Sequence, residues 1–400
     1  MSTKRKWIIL VAMAMMVTLG QFDKNAISVA AVPISKEFGF TPTDMGLVIS
    51  CFFISYTVMN FLGGFIADAY GSRKVATVVT ICWSFFTGIT GFAGSFYSLL
   101  AIRFIFGAAE GAFPPTNSLV VAELFPVEKR GFPKSFITGS SALGIGLGAI
   151  AITQITQNFG WRNAFFLYCV VGFCLSALFY WVSKDMQKPD CGGSQKKSAA
   201  FKEVFKQPLI WKVIPIQFAA GVFVWGLNSW MPTYWMNVKG LKLTTMGFAA
   251  AIPNVIAALS IFLVGYLLDK YWGGKEKWVI VIAAILAATS TYLTFIAPSV
   301  TMGVICMTIA SMSSGAMTQT IFICVIKYFP QHTIGAGCGI ANGSSQLAGI
   351  MTPAILGYII TITNGNYAAV FGSVICVLLI GALIALTIKI KPPIPKCKQL

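Results

Sequence analysis

The stretch Leu99–Gly131, LLAIRFIFGAAEGAFPPTNSLVVAELFPVEKRG, is long enough to cross a bilayer as a helix, yet it keeps Arg103 and Glu110 inside its apolar run. A charge at bilayer depth costs several kcal/mol even on lenient insertion scales, so such residues face a bundle interior or a wet cavity and find a partner there. Arg103 and Glu110 are seven residues apart. That is two helical turns, which puts both on one face about 10 Å apart along the axis, as neighbours and not as a tight pair. Gly107, Ala108, Ala109, Gly111 and Ala112 are small enough to let another helix or a ligand approach the backbone. The stretch therefore reads as the wall of a transport cavity.

The rest of the chain agrees in composition. It is 56% hydrophobic and 10% charged, with a mean hydropathy of +0.78, whereas a soluble domain is roughly a quarter charged. This describes a polytopic membrane protein. Apolar runs bounded by Pro, Gly and charge predict twelve spans, near 7–31, 44–67, 74–93, 99–123, 133–157, 161–183, 209–236, 245–269, 277–297, 301–327, 333–361 and 366–388. The net charge of +17 would suggest nucleic acid in a soluble chain, but its placement explains it here. With a cytoplasmic N-terminus, the outside loops hold only Lys36, Arg162, Lys239 and Lys242, and the remaining loop cations fall inside. Both termini are then cytoplasmic, the expected location is the inner membrane, and no nucleic-acid partner is called for. Lys4-Arg5-Lys6 followed by Trp7–Gly20 mimics a secretory signal. It reads as a retained first helix, because the apolar pattern resumes after Asp23 and Lys24. The ten cysteines show no C-x-x-C spacing and none lies in an outside loop, so neither structural disulfides nor a metal site is expected.

The halves repeat one another. Gly64-Phe-Ile-Ala-Asp68-Ala-Tyr-Gly71-Ser-Arg73-Lys74 recurs loosely as Gly265-Tyr-Leu-Leu-Asp269-Lys-Tyr-Trp-Gly273-Gly274-Lys275, the aspartates lying 201 residues apart. Ala122-Glu-Leu-Phe-Pro126 with Gly139-Ser-Ser141 matches Ile326-Lys-Tyr-Phe-Pro330 with Gly343-Ser-Ser345 at an offset of 204. The expected organisation is a six-helix bundle over 1–189, a cytoplasmic linker over 190–208 and a second six-helix bundle over 209–400. A site is expected near the bilayer midplane between the bundles. The linker's charges would solvate a loop and touch anionic lipid heads.

The pattern G-x-x-x-D-x-x-G-x-R-K after the second span resembles the signature loop of the major facilitator superfamily. That resemblance implies an all-α fold of twelve transmembrane helices in two pseudo-symmetric bundles. It also implies a gating role for Gly64, Asp68, Gly71, Arg73, Lys74 and the repeat Asp269, against the plainer reading of a solvated turn with positive-inside charges. Three further features resemble the anion:cation symporters, the branch with bacterial sugar-acid carriers. They are Asp23-Lys24 in QFDKNAIS, Arg103 and Glu110 running on to Phe125-Pro126-x-x-Lys129-Arg130-Gly131, and Trp230-Met-Pro232-Thr-Tyr234. The chain departs from that branch at Gln21, where the branch has Tyr, at Lys24, where it has Arg, and near Ser140, where sugar-acid carriers have Gln. A lysine presents a point charge where arginine presents a planar fork, so a bidentate grip on a carboxylate is weakened there.

The expected function is secondary symport of a small organic anion, a sugar acid or another hydroxylated carboxylate, with protons and by alternating access. Arg103 and Lys24 would attract the anion, and Asp23 and Glu110 would carry protons. A purely structural reading has the same charges neutralise one another and lock the first and fourth spans together. Tyr56, Ser140, Asn228, Trp230, Tyr234, Gln319, Asn342 and Gln346 are further candidates for binding substrate, each with an equally plain role in packing or interhelical bonding. His332 reads as a solvated loop residue. No P-loop, no nucleophile–base–acid set and no cofactor motif is present in the sequence, so an enzyme is not expected. The partners are an organic anion, protons and the bilayer, and the protein is expected to be a monomer. The rivals are an organic-phosphate exchanger, weakened by the lack of a cation deep in the seventh span, a drug–proton antiporter, weakened by the absence of Gly-Pro in the fifth, and a transporter-like sensor.

Overall fold

The computed structural model describes residues 2–126, 131–186, 203–272, 274–330 and 333–388. In chain order the helices are α1 (Thr3–Val29), α2 (Ala31–Phe38), α3 (Pro42–Tyr70), α4 (Ser72–Thr90), α5 (Phe96–Gly111), α6 (Phe113–Leu124), α7 (Gly131–Phe159) and α8 (Trp161–Val182). There follow α9 (Ile210–Gly221), a π-helical stretch (Val222–Leu227), α10 (Asn228–Asn237), α11 (Leu243–Lys270), α12 (Glu276–Ile296), α13 (Val300–Tyr328), α14 (Ile334–Ile362) and α15 (Ala368–Leu386). Among the described residues regular structure is wholly helical, as a bilayer requires when every backbone group must be satisfied within its own segment. The protein is a multi-pass membrane protein.

Among the described residues eleven helical segments are long and apolar enough to cross a membrane, one fewer than the twelve spans predicted. The missing one is α4, which is helical over 19 residues but opens on Ser72-Arg73-Lys74 and buries Thr77, Thr80, Ser84, Thr87 and Thr90. Its polarity faces protein instead of lipid. The fourth predicted span is broken at Ala112, between α5 and α6, because Pro114 and Pro115 lack the N–H groups a continuous helix needs. The seventh is interrupted by the π stretch, a rare conformation that lets a helix absorb an extra residue. Gly71, with φ +88°, makes the turn from α3 into α4.

The described chain falls into two compact units. The first comprises Met1–Cys191, Asn228–Val255 and Ile350–Tyr367, and the second Gly192–Leu227, Ile256–Gly349 and Ala368–Leu400. Within the first, α5 packs on α3 through glycines: a Cβ at Gly111 would sit 2.5 Å from the Tyr56 carbonyl oxygen, and one at Gly107 would strike that of Phe52. The small residues flagged in the sequence thus admit a helix. At the other end of α3, a Cβ at Gly46 would lie 2.5 Å from the Pro353 carbonyl oxygen, and one at Gly357 would strike that of Pro42. This seam between α3 and α14 is sewn by the Thr43 and Thr361 hydroxyls, 2.8 Å apart, and by Ala354 N–H donating to Ser50 Oγ at 3.0 Å.

The short helix α2 is fastened to the start of α8. Glu37 accepts from Arg162 at 2.6 Å and from Trp161 Nε1 at 2.8 Å, while Arg162 also donates to the Ala93 carbonyl at 3.2 Å. The bond from Arg162, followed by that from Trp161, holds the Glu37 carboxyl below the usual carboxylate range.

The second unit has an aliphatic core of Val213 and Ile216 from α9, Ile280 and Ala284 from α12, Met317 and Ile321 from α13, and Ala382 and Ala385 from α15. Among its described residues a buried charge is Glu276, the first residue of α12, which accepts from Lys327 Nζ at 3.2 Å and from Tyr328 Oη at 3.1 Å.

Candidate functional site

α1 brings Asp23 and Lys24 to the level at which α5 carries Arg103 and Glu110. All four sit inside the first unit, and Asp23, Arg103 and Glu110 are 1%, 2% and 2% exposed. The pairing runs across helices. Lys24 Nζ donates to Glu110 Oε1 at 2.9 Å and to Tyr56 Oη at 3.3 Å, and lies 4.5 Å from the centre of the Tyr56 ring. Gly20, one turn before Lys24, makes room for this: a Cβ there would be 2.9 Å from Glu110 Oε1. The second carboxylate oxygen of Glu110 is buried without a hydrogen-bond partner.

Arg103 is held differently. Among the described residues no carboxylate comes within ion-pair distance of it. Its guanidinium lies 5.1 Å from the Phe106 ring and 5.3 Å from that of Phe165, and its buried Nε has no partner. Aromatic faces attract a guanidinium without consuming its N–H donors. Arg103 is thus a positioned cation with its planar fork of donors unspent, the group best suited to a carboxylate or sulfonate. Asp23 is also without an ion-pair partner among the described residues: Oδ2 accepts from Thr87 Oγ1 at 3.2 Å, and Oδ1 has no partner.

The other residues predicted from the sequence fall in several places. Tyr56 joins the cluster through Lys24. Trp230 is buried and donates its indole N–H to the Pro353 carbonyl at 3.1 Å, and Tyr234 packs at 5.3 Å against Tyr367, so both pin helices of the first unit. Asn228 begins α10 just after the π stretch and is partly buried. Ser140 returns its hydroxyl to the Phe136 carbonyl at 2.9 Å, while its own carbonyl accepts from Thr18 at 3.2 Å. Gln319, Asn342 and Gln346 belong to the second unit, where Gln346 is buried with Oε1 unpartnered.

Of the gating residues, Gly64 lies 3.8 Å from Pro115 when given a Cβ. Arg73 donates to the carbonyls of Tyr180, at 3.0 Å, and Lys184, at 3.5 Å, capping the end of α8. Lys74 is exposed. The side chains of Asp68 and Asp269, and residues Lys129, Arg130, His332 and most of the expected linker, lie outside the described residues. Among the described residues no three His, Cys, Asp or Glu side chains gather as metal ligands.

The sequence reading passed over Thr87, Phe165, Glu123 and Glu276. Glu123 accepts from Ser72 Oγ at 2.6 Å. For Glu123 and Glu276 the offset of 204 offered a signal. Ser72 and Glu123 recur as Glu276 and Lys327, so a bonded pair in one half predicts a bonded pair in the other.

Comparison with known proteins agrees with this architecture. The chain is 28% identical over 96% of its length to a probable sulfoacetate transporter of Cupriavidus necator, covering 94% of it. It is 26% identical over 93% to a hexuronate transporter of Bacillus subtilis, covering 92%, and 27% identical over 95% to a D-galactonate transporter of Escherichia coli, covering 94%. Among solved structures it superposes on a bacterial homologue of the human lysosomal transporter Spinster, inward-facing and occupied, with a TM-score of 0.82 at 18% identity, covering 96% of this chain and 97% of that one. It superposes on a D-xylose–proton symporter with a TM-score of 0.76 at 15% identity, covering 95% and 97%. These are transporters and not enzymes. With a family profile matching residues 13–353 and 243–399, the chain belongs to the Major Facilitator Superfamily.

Proposed function

We propose that the protein is a secondary active carrier that moves a small organic anion, a sugar acid or another hydroxylated carboxylate, together with protons across the inner membrane by alternating access. In this reading the chain has twelve membrane-crossing helices, α4 included, arranged as six-helix halves over 1–189 and 209–400, with both termini cytoplasmic. The observation that carries it is Arg103, a buried cation presented against two phenyl rings with, among the described residues, no carboxylate within ion-pair distance. A fixed scaffold gains little from such a charge, since without a direct ion pair its desolvation is only partly offset. A binding site gains a partner when the anion arrives.

Lys24 and Glu110 then act as a lock. An incoming carboxylate competes with Glu110 for the Lys24 ammonium, and protonation of Glu110 releases it, so anion and proton enter together. Asp23 is the second proton carrier. Arg103 grips the anion head, Tyr56 and Ser140 meet it on one side, and Asn228 supplies an amide for its hydroxyls. The four charges of the cluster sum to zero, so one proton admitted with each negative charge keeps the interior neutral. The relatives named for sulfoacetate, hexuronate and D-galactonate transport favour an anionic head on a short polar body over a phosphate ester or an apolar drug.

Uptake of labelled D-galactonate, D-glucarate, a hexuronate and sulfoacetate into proteoliposomes, with an inward proton gradient imposed or collapsed, tests the reading. Accumulation of at least one acid that vanishes when the gradient is collapsed is expected. Accumulation that ignores the gradient overturns proton symport, and no accumulation of any carboxylate or sulfonate overturns the substrate class.

A further inference from the structure

α4 carries four buried threonines whose hydroxyls have a choice of acceptor. Thr77, Thr80 and Thr90 make the choice usual in apolar helices and donate to the carbonyl four residues back, those of Arg73, Ala76 and Phe86, at 2.8–2.9 Å. Thr87 is the exception: its hydroxyl donates to Asp23 Oδ2 on α1 at 3.2 Å, with both residues 1% exposed. The register of the three helices makes this contact specific. One turn before Asp23, Leu19 reaches the crossing where Ser84 of α4 meets Gly172 of α8, and a Cβ on Gly172 would be 3.4 Å from the Leu19 side chain and 2.7 Å from Ser84 Cβ. Three residues further along α4, Thr87 faces Asp23. From α8, Tyr168 and Cys169 lie within electrostatic reach of Asp23, and the Tyr168 hydroxyl is buried without a partner. From α5, Arg103 and Glu110 face it, and Lys24 is its neighbour on α1. Lys24, however, is turned to Glu110 and Tyr56.

We infer that Thr87 is the positioning residue for the coupling proton, and that Asp23 and Thr87 form a proton site in the α1–α4 interface, beside Tyr168 of α8 and the anion cluster of Lys24, Tyr56, Arg103 and Glu110. This rests on the symport reading above and gives its two acids different tasks. Glu110 is tied to the anion through Lys24, whereas the hydrogen bond to Asp23 comes from a hydroxyl. The chemistry is a simple proton exchange at Asp23: water on the open side delivers a proton to the unpartnered Oδ1 and takes it back on the other side. A hydroxyl donating to a carboxylate favours the ionised form, so Thr87 sets how readily the site lets its proton go.

Full-length protein in lipid nanodiscs, titrated by infrared spectroscopy, tests this without a substrate. The protonated-carboxyl band that is lost in Asp23→Asn reports the site directly. Thr87→Val removes the donor at nearly constant shape, and the band should persist to about one pH unit higher than in the parent. Thr87→Ser should restore the parent titration, and Thr87→Val in the Asp23→Asn background should change no band. Where an acid is accumulated in vesicles, half-maximal uptake of that acid should move to higher pH in Thr87→Val while exchange at equal pH is kept. An unmoved band in Thr87→Val overturns the proposal, as does a Thr87→Ser variant that titrates like Thr87→Val. A site that responds to sodium and not to pH overturns it too. Failure of all gradient-driven uptake would sink the symport reading alone, since the infrared titration stands without it.

Discussion

The two repeats put their charges to different uses. In the first, four charged side chains lie in mid-span on α1 and α5, two of them without an ion-pair partner among the described residues. In the second, the buried polarity away from the helix ends is neutral among the described residues, as at Gln217, Gln346, Ser311 and Ser314, and the buried acid Glu276 stands at a helix terminus. The helix ends, by contrast, kept their wiring. The start of α4 is bonded to the end of α6 by Ser72 and Glu123, and the start of α12 to the end of α13 by Glu276 and Lys327, at equivalent positions with the acid moved to the other partner. The repeat has preserved where helices are stapled and has let the interior diverge. Staples are cheap to exchange, since a hydroxyl–carboxylate bond and an ammonium–carboxylate pair do the same mechanical task. A desolvated charge in mid-span is not, and it persists where it has chemistry to do.

The largest effect should come from the charged interior. Glu110→Gln should abolish proton-driven accumulation of labelled substrate while leaving exchange of labelled for unlabelled substrate substantial, because a loaded carrier can cross and return without releasing a proton. If Glu110 were only half of a structural pair, its loss would leave Lys24 uncompensated at a cost of about 3–5 kcal/mol, visible as lost thermal stability with accumulation intact. Arg103→Lys comes next. Exchanging the fork for a point charge should raise the substrate concentration for half-maximal uptake on the order of tenfold or more, with normal expression and insertion. Unchanged apparent affinity would remove Arg103 from the site.

The second repeat should answer differently. Glu276→Gln should lower stability by about 1–3 kcal/mol in a thermal melt, as Lys327 and Tyr328 lose a charged acceptor, and leave apparent affinity where it was. A changed affinity would mean that staples and site are not separable. The smallest effect belongs to the exposed clamp. Glu37 gives up its proton more readily in the folded protein, so the stability it lends is present above the ordinary carboxylate pKa and fades as pH falls through its lowered folded value. Glu37→Gln should therefore melt slightly below the parent at pH 7, within the about 0–1 kcal/mol of surface pairs, and the difference should close in acid.

Apolar run length made the membrane fold legible, and the spacing of Arg103 and Glu110 correctly put them on one face. Which charge meets which was not legible. Spacing along one helix reports that helix's own faces, whereas the Lys24–Glu110 contact depends on how α1 and α5 approach, which is decided by the missing side chain at Gly20. Thr87 was hidden for a related reason, since a threonine in an apolar helix usually bonds to its own backbone. The polarity of α4 was visible in the letters, but only packing shows that it is turned inward. Glu276 drew no attention because an acid beside lysines at a span boundary looks like a solvated end.

The seam at Gly46 and Gly357 has a consequence for how variants of this carrier are scored. Backbone meets backbone there, so the smallest possible side chain is already a wedge, and under the alternating-access reading proposed above a single added methyl group would shift the balance between states. When only a fraction of molecules is competent to bind, measured affinity falls by that fraction although the site is untouched. An alanine scan would thus record Gly46→Ala as a change in affinity, of opposite sign on the two faces of the membrane. The sign reversal is the signature that separates a residue that sets the equilibrium from one that touches the cargo.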